Sequence, residues 1–221
     1  REHIAIDYTE PGDIFFTNHL EVGGSHLSDV KAMAPIFYGD EIVAWVANCA
    51  HWTDIGGAYP GGYVCATHLF QEGLVIPPLK LYHKGQINEE LASLILNNVR
   101  SPEERLGDIR AQVASIQRGI TRLIELIEKY GLETVKMFFI DYLNYVEKLV
   151  RQEIQKLPNG SYEFKDQMDN DGISDEPVNL KVRVEISEEN ILFDFTGSDQ
   201  QVVGPINATP AVVWAGVNFA V

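Results

Sequence analysis

Apolar positions along the chain follow two different rhythms. From residue 101 the period is that of a helix. Ser101-Pro102-Glu103-Glu104 reads as a capping box with proline at the first helical position. Leu106, Ile109, Val113, Ile116, Ile120, Leu123, Ile124 and Ile127 then recur at 3.6-residue spacing, which predicts one broad buried face. Gly131 should stop this helix. A second helix is expected to about Leu157, burying Val135, Phe138, Phe139, Tyr142, Val146, Leu149 and Val150 before Pro158-Asn159-Gly160 ends it. The two predict an antiparallel helical hairpin.

The flanks follow the other rhythm, that of strands. Residues 13–18 read as a short strand after the turn Pro11-Gly12, and residues 35–38 and 42–48 as a hairpin around Gly39-Asp40-Glu41. Glycines 56, 57, 61 and 62 with Pro60 predict a long irregular loop, and Pro77-Pro78 makes residues 74–83 extended. Residues 161–168, 178–186 and 191–196 predict an antiparallel meander. Within it, Lys181–Ile186 alternates cleanly, so one face is expected in solvent. Strands, then helices, then strands predict an α+β fold. The expected parts are a β- and loop-rich segment over 1–100, the helical hairpin over 101–157, and over 158–221 the meander with the start of a further segment.

Composition narrows the classes. The 221 residues carry 17 basic and 32 acidic groups, a net charge of -15, which argues against gripping nucleic acid or anionic lipid. Residues 1–100 hold 5 basic and 12 acidic groups, 101–155 hold 8 and 9, and 156–221 hold 4 and 11. The acidity therefore belongs to the flanks, while the helical block is balanced as exposed ion pairs require. No apolar run is long enough to span a membrane. Two cysteines, Cys49 and Cys65, are too few for a disulfide framework and fit a reducing cytoplasm, and no secretory leader is visible. The chain opens at Arg1 and closes on the apolar run Ala211–Val221, so a piece of a longer protein is expected.

All six histidines lie before residue 84: His3, His19, His26, His51, His68 and His83. Two similar tetrads stand out, His26-Leu27-Ser28-Asp29 and His51-Trp52-Thr53-Asp54, with Gly23-Gly24 before the first and Gly56-Gly57 after the second. Imidazole and carboxylate suit Mn²⁺, Fe²⁺ or Zn²⁺. A hairpin between the tetrads would bring His51 beside His26 and Asp29, leaving Asp54 to orient an imidazole from behind. His-x-x-Asp is also a short pattern that arises by chance. Asp169-Asn170-Asp171-Gly172 lacks the carboxylates of a calcium loop and reads as a turn. No GxSxG, P-loop or dinucleotide fingerprint is present, so the chain shows no site for ATP.

Several blocks resemble the hydantoinase B family. They are Pro11-Gly12-Asp13 through Thr17-Asn18, Gly23-Gly24-Ser25-His26-Leu27-Ser28-Asp29-Val30, Ala50 through Gly57, Gln71-Glu72-Gly73-Leu74, Ile76-Pro77-Pro78 and Asn98 through Pro102. Gly107-Asp108, Ala111-Gln112, Asp194 through Ser198 and Gly204-Pro205-Ile206-Asn207 continue the likeness. The family's subunits serve ATP-dependent N-methylhydantoinases, 5-oxoprolinases and acetone or acetophenone carboxylases. The resemblance implies an A-type partner subunit that uses ATP to activate a small cyclic amide or ketone. It also implies a divalent metal, manganese first and zinc or iron next, on His26, Asp29 and His51. This chain has Asn18-His19-Leu20 where the family commonly has Asn-Asp-Pro, and Trp52 where many members carry a second histidine.

Three readings follow. In the first, a cyclic amide hydrolase subunit, Glu72 transfers protons and Asp54 supports the metal site, while Asn18 and Arg100 contact substrate. For Glu72 a cap or loop hydrogen bond is the plain alternative, and for Arg100 pairing with an acid. The second reading is a ketone carboxylase subunit using the same metal. The third is a structural piece with a degenerate site.

Overall fold

The computed structural model describes residues 8–61 and 65–221; His3, and Gly62 of the expected loop, lie outside them. Among the described residues the fold is α+β, with five helices and two antiparallel sheets. The chain divides into two compact units, Arg1–Leu132 and Glu133–Val221.

The first unit is built on a five-stranded sheet. Its strands are β1 (Ile14–Thr17), β2 (Asp29–Tyr38), β3 (Glu41–His51), β4 (Leu79–His83) and β5 (Gln86–Ile87), in the order β3-β2-β1-β4-β5. The expected hairpin turns at Gly39-Asp40, and its strands run further than their apolar cores suggested. Near that turn the register shifts: Phe37 faces Ile42 but Ile36 faces Ala44, so one extra residue, Val43, bulges out of β3. From there the pairing runs unbroken to Val30 opposite Ala50 and Asp29 opposite His51.

Side chains alternate between the two faces of this sheet. Phe16, Val30, Ala32, Ala34, Val46 and Ala50 belong to the core cluster. Ile109, Val113 and Ile116 of α3 (Pro102–Tyr130) join the same cluster, with Ala92 and Ile95 of α2 (Glu89–Leu96). Each such aliphatic side chain fully buried contributes about 1.5–3 kcal/mol. The expected apolar face of α3 is therefore real. Its expected capping box is not: Ser101 stands at the N-cap, but its hydroxyl makes no cap hydrogen bond. Helix α2 was not anticipated, although Asn88 caps it by accepting from the Leu91 N–H at 3.0 Å.

One polar group is built into this apolar layer. Gln112 of α3 is 4% exposed. Its Nε2 donates to the Val30 carbonyl at 2.9 Å and to Asn48 Oδ1 at 3.1 Å. Its Oε1 accepts from Trp52 Nε1 at 3.1 Å, and its backbone carbonyl accepts from Asn48 Nδ2 at 2.9 Å. The helix is thus keyed to both strands of the hairpin, because any slip strands buried donors and acceptors.

The second unit holds α4 (Leu132–Ile154, whose first residue closes the first unit), a meander β6 (Gly160–Met168), β7 (Val178–Ser187), β8 (Asn190–Asp194), and α5 (Pro210–Ala220). Two expectations are corrected here. Of the apolar face expected for α4 only Val135 is buried; Phe138 is 60% and Tyr142 55% exposed. The meander shows no solvated-versus-buried alternation: β6 is exposed throughout and residues 181–186 are all half-buried. Three strands and two helices present more apolar surface than they cover among themselves. The Asp169–Gly172 segment is a turn, as expected. Asp171 accepts from the N–H groups of Ile173, Ser174 and Gly204 at 2.9, 2.7 and 2.9 Å.

Both polar networks can be probed by single substitutions. Replacing Gln112 by Leu leaves the Trp52 N–H and Val30 carbonyl unsatisfied and should cost about 2–4 kcal/mol in denaturant unfolding, whereas a change under about 0.5 kcal/mol would refute the keying role. Backbone N–H donors from Ser174, Ile173 and Gly204 lower the Asp171 carboxyl from its ordinary 3.8 to about 2. A depressed folded-state value stabilises above the unfolded pKa and is lost as pH falls through the folded one. Asp171→Asn should therefore flatten the acid limb of the stability curve between about pH 4 and pH 2. A carboxyl NMR midpoint near 4 would contradict this.

Candidate functional site

The two tetrads meet at the open end of the β2–β3 hairpin. His51 is the last residue of β3 and faces Asp29, the first of β2. His26 stands three residues earlier, with Nδ1 3.1 Å from Asp29 Oδ2. The His26 and His51 rings contact edge to face, centroids 4.8 Å apart. The Ser25 hydroxyl donates to Asp29 Oδ2. The predicted trio is thus assembled on the face of the sheet away from the core, with His26 and Asp29 half-buried and His51 exposed.

Glu72 joins this group from a distant part of the chain. It ends the short helix α1 (Leu69–Glu72) and is partly buried. Burial pushes its carboxyl above the usual range, and the charge of nearby His26 partly offsets that. Among the described residues its carboxylate accepts no hydrogen bond, so the cap or loop role has no support.

Three expected site residues hold the scaffold. Asn18 is fully buried and its amide is saturated: Nδ2 donates to the carbonyls of Leu27 and Leu74, both at 2.8 Å, and Oδ1 accepts from the Ile76 N–H at 2.6 Å. It ties the segment beside His26 to the segment beside Glu72, and no amide atom is left for substrate. Asp54 orients no imidazole among the described residues. It is 6% exposed, and its oxygens accept from the Gly56 N–H, the Arg100 N–H and Arg100 Nη1 at 3.1, 2.8 and 2.7 Å. Burial opposes its ionisation, but these bonds and the guanidinium charge hold the carboxyl below the usual range. Arg100 also donates to the carbonyls of Gly56 and Gly57 at 3.2 and 2.8 Å, so its pairing with an acid is what the structure shows.

The glycines are explained by close approach. At Gly57, with φ +86°, a Cβ would lie 2.5 Å from the Gln71 carbonyl and 2.6 Å from that of Glu72. Only glycine lets this loop lie against α1 and set the position of Glu72. Trp52 is fully buried on the core side.

Two imidazoles and a carboxylate are by chemistry a donor set that suits a divalent cation. As placed they do not converge: among the described residues no group of three or more His, Cys, Asp or Glu has metal-holding geometry. Pattern reading also missed Lys31 and Cys49, which face each other two residues inward from Asp29 and His51 on the same side. The spacing of two along each strand was the available signal.

Residues 2–221 match the family described as hydantoinase B/oxoprolinase. The chain belongs to this family. It is 39% identical over 96% of its length to an uncharacterised protein of Methanocaldococcus jannaschii, covering 37% of that protein. It is 36% identical over 91% of its length to the B subunit of a putative D-/L-hydantoinase from a Pseudomonas strain, covering 35% of it. Among solved structures, the ATP-dependent caprolactamase of Pseudomonas jessenii superposes with a TM-score of 0.91 at 30% identity, over 96% of this chain and 37% of that one. Family relatives also include proteins named 5-oxoprolinase and acetophenone carboxylase delta subunit. The chain therefore spans between 17% and 37% of the length of the curated relatives it matches. Among the described residues no helix is long and apolar enough to cross a membrane.

The Asn18 tie makes a testable statement. Asn18→Ala leaves two buried carbonyls and one N–H without partners, and should cost about 3 kcal/mol or more in thermal or denaturant unfolding. A variant as stable as the parent would show that the amide does not hold these segments.

Proposed function

We propose that this chain forms part of an ATP-dependent cyclic amide hydrolase, opening hydantoin or 5-oxoproline rings together with an A-type partner that activates the substrate. The observation that carries this reading is the assembly of His26, Asp29 and His51 beside a raised, unbonded carboxyl on Glu72. A divalent cation, manganese first, supplies Lewis-acid polarisation of the amide carbonyl when bound. His26, Asp29 and His51 would hold it. A carboxyl raised by burial holds a proton more readily than an ordinary one, which suits it to general acid–base work. Glu72, as its carboxylate, takes a proton from the attacking water and returns it to the ring nitrogen as the C–N bond breaks. The acyl phosphate that remains is hydrolysed by a second water, which releases phosphate. Asn18, Asp54, Arg100 and Gly57 keep Glu72 and the imidazoles in mutual reach.

A carboxylase of activated ketones is the second reading, favoured by the relative named as an acetophenone carboxylase delta subunit. The full-length complex, purified with its A-type partner, decides between them. ATP-dependent opening of hydantoin or 5-oxoproline is expected, with Glu72→Gln lowering kcat by about 100-fold or more at preserved fold. Elemental analysis should find a bound divalent metal that His26→Ala removes. Ketone-dependent bicarbonate fixation without lactam turnover would replace the first reading by the second.

A further inference from the structure

Beside the candidate ligands stands a cation that neither the fold nor that mechanism uses. Lys31 follows Asp29 by two residues on β2, so the two side chains leave the same face of the sheet. Lys31 pairs with Cys49 on one side and Thr17 on the other, while Asp29 pairs with His51. Lys31 is half-buried. Its Nζ lies 3.3 Å from where a side chain on Gly24 would begin, so the glycine turn before His26 makes room for the ammonium. Among the described residues Lys31 enters no ion pair, and its hydrogen bond is a long one, 3.5 Å to the Asp29 carbonyl. The thiol of Cys49 feels opposing charges from Asp29 and Lys31, which places all three in one electrostatic neighbourhood.

Lys31 is thus a half-buried ammonium with no ion pair among the described residues, on the sheet face that carries Asp29 and His51. We infer that Lys31 is the specificity residue of this site and binds an anionic oxygen group of the substrate. That group is a carboxylate carried on the ring or the phosphoryl group left by activation. The inference rests on the hydrolase reading and deepens it: where the group is the ring carboxylate, the preferred substrates are acidic lactams such as 5-oxoproline.

The test uses equilibrium binding to the assembled complex, independent of turnover, with three probes: 5-oxoproline, its uncharged counterpart 2-pyrrolidone, and inorganic phosphate. Lys31→Met should weaken 5-oxoproline binding about tenfold or more, the size of one charge-assisted hydrogen bond, and leave 2-pyrrolidone unchanged. Lys31→Arg should restore most of the loss. Weakening of phosphate alone assigns the anion to the phosphoryl group. The inference is overturned if neither anion binds the parent complex, if Lys31→Met weakens neither, or if Lys31→Arg restores nothing. A complex that binds 5-oxoproline through Lys31 but opens no lactam sinks the hydrolase reading and leaves this one standing.

Discussion

The side-chain amide of Asn18 fixes how close two remote segments come. His26 and Glu72 lie far apart in sequence, and the proposed proton transfer beside an imidazole requires them in one place. One fully buried amide answers that need by bonding the carbonyls of Leu27 and Leu74 and the N–H of Ile76. The Thr17 hydroxyl donates to the Ile76 carbonyl at 3.0 Å and reinforces the joint. These bonds are short, backbone-directed and shielded from water, where a hydrogen bond is stronger and its loss dearer. Asp54 and Arg100 do the same for the far side of the loop, with Gly57 allowing contact with α1. The site's polar residues thus fall into two sets. One set is saturated and holds shape, and the other, His26, His51, Asp29, Glu72 and Lys31, faces outward.

The sheet separates these duties by face. Phe16, Val30, Ala32, Ala34 and Val46 pack under α3, and Gln112 pins that layer through Trp52, Asn48 and Val30. The opposite face carries Lys31, Asp29, Cys49 and His51. This gives Trp52 its place. The residue after His51 points into the core, so an indole bonded to Gln112 there anchors the strand end that carries the imidazole.

Much of this was legible in the residues themselves. The 3.6-residue period of α3, the glycine-centred hairpin and the C-terminal meander are local signals, and the structure contains all three. The His26–Asp29–His51 grouping was legible because a hairpin between two tetrads must fold them together. What pattern could not show was non-local. Asn18 looked like a substrate contact because its three backbone partners lie in segments that only the fold brings near. Arg100 and Asp54 look alike as free charges or as a pair until their distance is known. The exposed side chains of α4 read as a buried face because periodicity reports amphipathicity and not what covers it.

The bulge at Val43 carries a consequence for how such a site arises. An uninterrupted hairpin about Gly39-Asp40 would set His51 against Ser28 and Asp29 against Ala50. Imidazole and carboxylate would then lie on opposite sides of the sheet, one of them in the core. A single added residue near the turn, at the far end of the strands, inverts the parity of all that follows. The identity of the functional face is therefore written in the count of residues in β3 rather than in the tetrads themselves. In this chain a one-residue insertion or deletion in β3 between Glu41 and Ala44 would part Asp29 from His51, however harmless a surface turn looks as a place for it.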